Sequence, residues 1–187
     1  DAEHSFMLSM LAIELATQCN AMQQQSTFID PGLVAQYATV HDLIELETGD
    51  TPTFNLTPAE HSKKCADEAA AKSNLFQRLP PYLAELARRY EEQSDVESRL
   101  VKLIDKLLPI IVDIVSGTGV YVMQRDYHTH SAEQAADIHA NSQRRLENVF
   151  AEPWAQPFLE IRQMLVTMFI EMLERRLDGE QLTIDYV

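Results

Sequence analysis

The sequence predicts an all-α protein, and three observations carry that prediction. Apolar residues recur at helical rather than alternating spacing along most of the chain. Only five of the 187 residues are glycine, and β-branched runs are few, which disfavours an all-β fold. Helix-opening signals stand at the head of one segment after another. With 45% hydrophobic residues, a chain of this length can bury a sizeable core. A single domain over residues 1–187, a bundle of six to seven helices, is expected.

The elements follow in order. "AEHSFMLSMLAIELATQC" carries Phe6, Met7, Met10, Leu11, Ile13 and Leu15 as a helical stripe. "DPGLVAQYATVHDLIELETG" opens on Asp30-Pro31 and closes on Gly49, an N-cap with early proline and a terminal glycine, so one helix is predicted over 30–49. "TPTFNL" is an extended loop punctuated by Pro52 and Pro58. Thr57-Pro58-x-Glu60 reads as a capping box for a helix over 57–79, which ends at Pro80-Pro81. "PYLAELARRYEEQ" is a short helix. Ser94-x-x-Glu97 is a second capping box, opening a helix that Pro109 bends and that ends near Gly117. "VYVMQRDYHTH" is irregular, "SAEQAADIHANSQRRLENVF" and "PFLEIRQMLVTMFIEMLERRL" close the bundle, and the tail "QLTIDYV" is extended.

The formal net charge is −14. That argues against a nucleic-acid duplex or an anionic membrane as partner, since both reward a basic surface. A small phosphorylated substrate stays compatible, because a bound divalent cation supplies positive charge locally. Cys19 and Cys65 form no CxxC pair and read as thiols in a reducing, cytoplasmic compartment. No run approaches the ~18 apolar residues of a membrane span. The chain opens at Asp1 inside a helical pattern and without an initiator methionine, so a preceding segment is expected.

Several polar residues sit where burial would be costly. "VHDLIELETGD", residues 40–50, sets His41 beside Asp42 and follows them with Glu45, Glu47 and Asp50, amid Val40, Leu43, Ile44 and Leu46. On a helix His41 and Glu45 are one turn apart and share a side. Asp105 lies in the apolar run "LVKLIDKLLPII", and His4 lies near the start of the first helix. A buried carboxylate needs a partner. Lys102 and Lys106 are candidates for Asp105, and a core histidine bonded to a neighbouring carboxylate accounts equally for His41. Alternatively, two histidines and two aspartates from three helices converge on one ion. Imidazole with carboxylate suits Mn, Fe, Co, Ni or Zn better than Ca.

The order "AEHS", "HDLIELETGDTPT", "LVKLIDKL" resembles the HD-domain phosphohydrolases, and looks closest to the branch that contains bacterial 5′-deoxynucleotidases. Three motifs in order cover residues 1 to 110; residues 118–187 carry none. The resemblance implies a compact HD-domain helical bundle with a central site. It implies one divalent metal ion per chain, whether Mn, Co, Fe, Ni, Zn or Mg, with His4, His41, Asp42 and Asp105 as ligands. It implies Glu45 beside the metal-bound water and Asp50 near the nucleoside sugar, both in the catalytic set. Substrate contacts before the third motif correspond to Glu91 or Glu92 in "YEEQSDVE". The family usually carries a phosphate-holding arginine upstream of E-H-S; with the sequence opening at Asp1, that arginine is expected in a preceding segment, or else phosphate is bound differently.

The chemistry is consistent with that resemblance. Four protein ligands leave about two open positions on a six-coordinate ion for water and phosphate. Glu45 is placed to relay a proton. Lys102, one turn before Asp105, is the cation best placed for the phosphate among Lys63, Lys64, Arg99 and Lys102. His128 and His130 read as exposed loop residues, His61 and His139 as solvated, Trp154 as a packing anchor. Met164, Met168 and Met172 read as core or a dimer face. The leading expectation is hydrolysis of the 5′-phosphoester of deoxynucleoside monophosphates by a homodimer. The alternatives are a deoxynucleoside triphosphate triphosphohydrolase such as a dATP-specific phage-type enzyme, a non-catalytic HD binding module, and a plain helical interaction protein.

Overall fold

The structure, a computed structural model, describes residues 2–22, 28–48, 58–117, 119 and 131–177. The secondary structure among them is helical without a strand, as the composition predicts. The chain parts into two compact units, Asp1–Ile104 and Asp105–Val187. Counting the stretch 96–116 once and leaving aside a single-turn helix, the described residues hold seven helices. No helix among them is long and apolar enough to cross a membrane.

The first unit holds α1 (Ala2–Ala21), α2 (Pro31–Val40), α3 (Glu45–Thr48), α4 (Pro58–Arg78), α5 (Pro81–Glu92) and α6 (Val96–Asp105), whose last residue opens the second unit. Helix α1 packs along α2. Leu8, Ala12 and Ala16 recur every fourth residue and are fully buried, so one small-residue stripe lets the two backbones approach. Helix α2 answers with Val34, Tyr37 and Ala38, also fully buried. Cys19 ends the α1 stripe, and burial pushes its thiol pKa up, which keeps it protonated and inert. Asn20 ties the following segment down, donating to the Ile29 carbonyl at 2.7 Å and accepting the Ile29 amide at 2.9 Å.

The caps explain where the helices start. Asp30 caps α2 as predicted, its Oδ1 accepting the amides of Gly32 (2.8 Å) and Leu33 (3.3 Å). The box at the head of α6 is displaced by one residue from the predicted Ser94–Glu97. Asp95 Oδ1 accepts the Ser98 amide at 2.8 Å, and the Ser98 hydroxyl faces the Asp95 amide at 3.4 Å. Glu97 is thereby released to bind across the unit, its Oε1 accepting the Asp30 amide at 3.0 Å. The predicted box at Thr57 falls outside the described residues.

The second unit holds α7 (Leu108–Ser116), α8 (Ala132–Val149), a 3-10 turn (Pro153–Ala155) and α9 (Gln156–Leu177). Pro109 has no amide hydrogen for the Asp105 carbonyl and its ring crowds that carbonyl, so α6 stops and α7 begins anew. Gly117 closes α7 at φ 65°, a left-handed conformation that glycine takes without strain. Ser131 caps α8 by accepting the Gln134 amide at 3.2 Å. Ile110, Ala135, Val166, Phe169 and Leu173 form the core of this unit. Trp154 packs edge-on to Phe158 at 6.4 Å, in keeping with an anchor. The methionine stripe divides: Met172 packs on the core, whereas Met164 and Met168 are exposed with Ile161.

Gly119 sets a stability test for this core. A Cβ there would run into the Phe169 ring, which is 1% exposed and has nowhere to move. Gly119→Ala should lower stability by about 1–3 kcal/mol, the usual cost of overpacking. Urea denaturation measures it; a variant as stable as the parent would mean that the Phe169 core is not closed around this position.

Candidate functional site

The helix predicted over 30–49 breaks at the residues of interest. Helix α2 ends at Val40, and residues 41–44 form a turn before the single turn of α3. Bonds three residues apart replace the helical ladder: Leu43 to Val40 at 3.2 Å, Glu45 to Asp42 at 3.0 Å and Glu47 to Ile44 at 3.0 Å. The correction has a consequence for His41 and Asp42. Neighbouring side chains on a regular helix diverge and do not face each other. In the turn they do, with His41 Nε2 2.9 Å from Asp42 Oδ2.

The orientation of His41 is set from its own helix. Its Nδ1 lies 2.9 Å from the Ala38 carbonyl, one of the α2 carbonyls that has no partner further along the helix. Nδ1 therefore donates, and Nε2 is left facing the Asp42 carboxylate, where a proton or a cation belongs between the two. The His4 ring lies 5.2 Å from the His41 ring, centroid to centroid. His4, His41 and Asp42 each offer a ligand atom within 4.8 Å of the other two. Donors sharing one ion at about 2.1 Å stand roughly 3–4 Å apart, so small side-chain rotations bring these three onto a single ion. Two imidazoles and a carboxylate form a donor set for a first-row divalent metal. The residues thus fit a metal on two counts, the chemistry of the donor set and its convergence on one point.

The other predicted residues lie as follows. Glu45 is exposed at the start of α3. Asp50 falls outside the described residues, as do His128 and His130. Asp105 is 8% exposed, and its Oδ2 pairs with Lys106 Nζ at 2.8 Å, the simple pairing the sequence allows. Glu91, half-buried on α5, pairs with Lys72 at 2.7 Å. Glu92 is exposed and takes the Arg88 guanidinium at 2.6 Å. Lys102 is half-buried, with Nζ over the Tyr90 ring at 5.7 Å.

Tyr90 is the residue that sequence reasoning missed. Its ring is 1% exposed and meets the His41 ring edge-on at 6.3 Å, while Lys102 lies against it. It thus packs both a candidate metal ligand and a candidate phosphate cation. In the sequence Tyr90 is only one aromatic in "RRYEEQ", and nothing local marks it as facing a histidine 49 positions earlier. His139, predicted as solvated, is half-buried with its ring edge-on to Phe169 at 5.4 Å.

Comparison with known proteins bears on both the family and the fold. A family model described as HD domain covers residues 1–150. Among solved structures, the chain is similar to a predicted metal-dependent phosphohydrolase from Magnetospirillum magnetotacticum MS-1. The TM-score is 0.64 at 23% sequence identity, over 92% of this chain and 78% of the other. No curated protein matches.

Proposed function

Because the chain belongs to the HD-domain family, a family of metal-dependent hydrolases, we propose that it hydrolyses the 5′-phosphoester of deoxynucleoside monophosphates to deoxynucleoside and phosphate. The observation that carries the reading is the convergence of His4, His41 and Asp42. The resemblance of the third motif alone implies Asp105 as a fourth ligand. His4, His41 and Asp42 would hold a divalent ion, which would supply positive charge against the phosphate and acidify a water.

The protein's own groups do the rest. Glu45, exposed at the mouth of the turn, takes the proton of the attacking water. Lys102 binds the phosphate as a point charge, held by the face of Tyr90. Asp50 and Glu91 are proposed to hold the sugar and base through hydroxyl and amino donors. Glu91 is favoured over Glu92 because it is half-buried where Glu92 is exposed; each carries an ion pair, to Lys72 and Arg88 respectively. The −14 net charge disfavours a triphosphate over a monophosphate. Exposed Ile161, Met164 and Met168 on α9 support self-association as a homodimer.

The test is metal analysis and phosphate release on the purified chain, with Mn, Co and Mg and a panel of deoxynucleoside mono- and triphosphates. About one transition metal per chain and orthophosphate from a monophosphate are expected, from a particle whose light scattering gives the mass of two chains. Triphosphate release would move the assignment to a triphosphohydrolase. A metal-replete chain that turns over neither class would sink the enzymatic reading.

A further inference from the structure

We propose that Arg162, with Ser142 and His139, forms a binding site for a phosphate group, built from residues of the second unit alone. Arg162 is 3% exposed. A guanidinium does not shed its proton in a protein, so its charge is buried as well. Among the described residues its bonds run to neutral acceptors: Nη1 donates to Gln143 Oε1 at 2.8 Å and Nη2 to Ser142 Oγ at 3.1 Å. Nε is buried and meets no hydrogen-bond partner among the described residues. No carboxylate among them pairs with it. Glu147 reaches it only through its field and through Gln143, whose Nε2 donates to Glu147 Oε1 at 3.0 Å. A buried charge whose direct partners are all dipoles is an unfavourable arrangement that an anion in contact would relieve.

The surrounding groups suit an oxyanion. Nε and Nη2 form one edge of the guanidinium, the edge that grips two oxygens of a phosphate or carboxylate at once. Ser142, which accepts from Nη2, keeps its own hydroxyl proton to donate. His139 lies one helical turn before Ser142 on α8, and its Nε2 is likewise buried without a hydrogen-bond partner among the described residues. Burial first, and the Arg162 charge second, push its pKa down to about 4. It is therefore neutral near pH 7 and offers an N–H or a lone pair at no cost in charge. Ser142 is partly exposed, whereas Arg162 Nε is buried. Arg145, exposed and one turn beyond Ser142, adds positive charge there in a chain that is otherwise strongly acidic. A tetrahedral phosphate has acceptors enough for the Arg162 edge, the Ser142 hydroxyl and the His139 N–H together; a chloride does not.

The group arrives either as inorganic phosphate or on a nucleotide, and the experiment separates the two. The full chain is titrated with inorganic phosphate, with a deoxynucleoside monophosphate, and with chloride at matched ionic strength. Melting temperature and the His139 ring signal in NMR are followed for the wild type, Arg162→Met and Ser142→Ala. Phosphate should raise the wild-type melting temperature saturably and move the His139 signal. Arg162→Met should abolish both responses and melt above the wild type in phosphate-free buffer, because a buried charge has gone. Ser142→Ala, at the partly exposed residue, should weaken binding about fivefold, the worth of one ordinary hydrogen bond, and it decides the matter if Arg162→Met does not fold. A response to inorganic phosphate identifies the free ion as ligand; a response to the nucleotide alone identifies a phosphate carried on a nucleoside. A His139 signal that neither form moves, or a melting response that chloride reproduces, would overturn the site and leave Arg162 as a structural crosslink between α8 and α9.

Discussion

Asp42→Asn should strip the protein of its metal and its turnover while leaving the metal-free fold intact. The expectation comes from the geometry at the end of α2. His41 is held with Nδ1 on the Ala38 carbonyl and Nε2 at 2.9 Å from Asp42 Oδ2. The carboxylate contributes an anionic donor to a shared ion; an amide contributes a weak neutral one. Loss of an outer-shell partner typically costs 10–100-fold in metal affinity or activity, so removal of a direct ligand should exceed about 100-fold in phosphate release. Asparagine matches aspartate in shape and its amide can donate to His41 Nε2, so the metal-free fold should survive, whereas added Mn or Co should stabilise the parent alone. Metal content by mass spectrometry and paired melting curves read both effects. A variant that keeps its metal would remove Asp42 from the ligand set, and one that unfolds without metal would recast the pair as a structural ion pair.

The second large effect concerns stability. Asp95 joins three helices of the first unit: its Oδ2 takes the Tyr37 hydroxyl of α2 and the Arg89 guanidinium of α5, each at 2.6 Å, and its Oδ1 caps α6. Arg89 also lies over the Tyr37 ring at 5.7 Å. Tyr37 is one turn ahead of His41, so the same clamp fixes the helix that ends in the candidate metal ligands. Asp95→Asn removes the charge, one acceptor oxygen and part of the cap. A loss of about 3 kcal/mol near pH 7 is expected, from the usual worth of charged hydrogen bonds and of an N-cap.

The pH dependence is a second reading of the same clamp. Burial pushes the Asp95 pKa up, but the bonds from Tyr37, Ser98 and Arg89 outweigh it, and the net shift is downward. A carboxyl with a depressed pKa adds stability that is complete above its unfolded value, about 3.9, and is lost as pH falls through the folded value. The gap between parent and variant should therefore be full at pH 6–7 and close below about pH 4. Denaturant midpoints across that range measure it. A gap that stays constant with pH would mean that the carboxylate charge contributes nothing and the clamp is a matter of shape.

Much of this molecule is legible in the sequence because its signals are local. The Asp30-Pro31 start, the interruption at Pro109, read as a bend but found as a break, and the glycine end at Gly117 each depend on residues within a turn or two of one another; the stripe read in α1 is only partly right, since Phe6, Met7 and Met10 are exposed and Leu8, Ala12 and Ala16 face inward. The Met and Leu pattern of the last helix is legible too, but only as apolar: it does not say that Val166, Phe169 and Leu173 go inward while Met164 and Met168 stay outside. The box at the head of α6 is one residue off for a related reason. Ser94–Glu97 and Asp95–Ser98 both satisfy the local rule, and the choice falls to Asp95 because Tyr37 and Arg89 meet it from other helices.

The sequence by itself determined the all-α class, the order of the helices and the three motifs that place the chain among HD domains, since all of these are written in short-range spacing. Only the tertiary structure decided the break after Val40, which no glycine or proline announces. It also decided the packing of Tyr90 between His41 and Lys102, and the burial of Arg162 without a carboxylate. The physical reason is common to all three. A side chain's local pattern says which face of its helix it occupies, whereas its partners, its tautomer and its compensating charge come from helices distant in sequence, and those terms are fixed only when the elements pack.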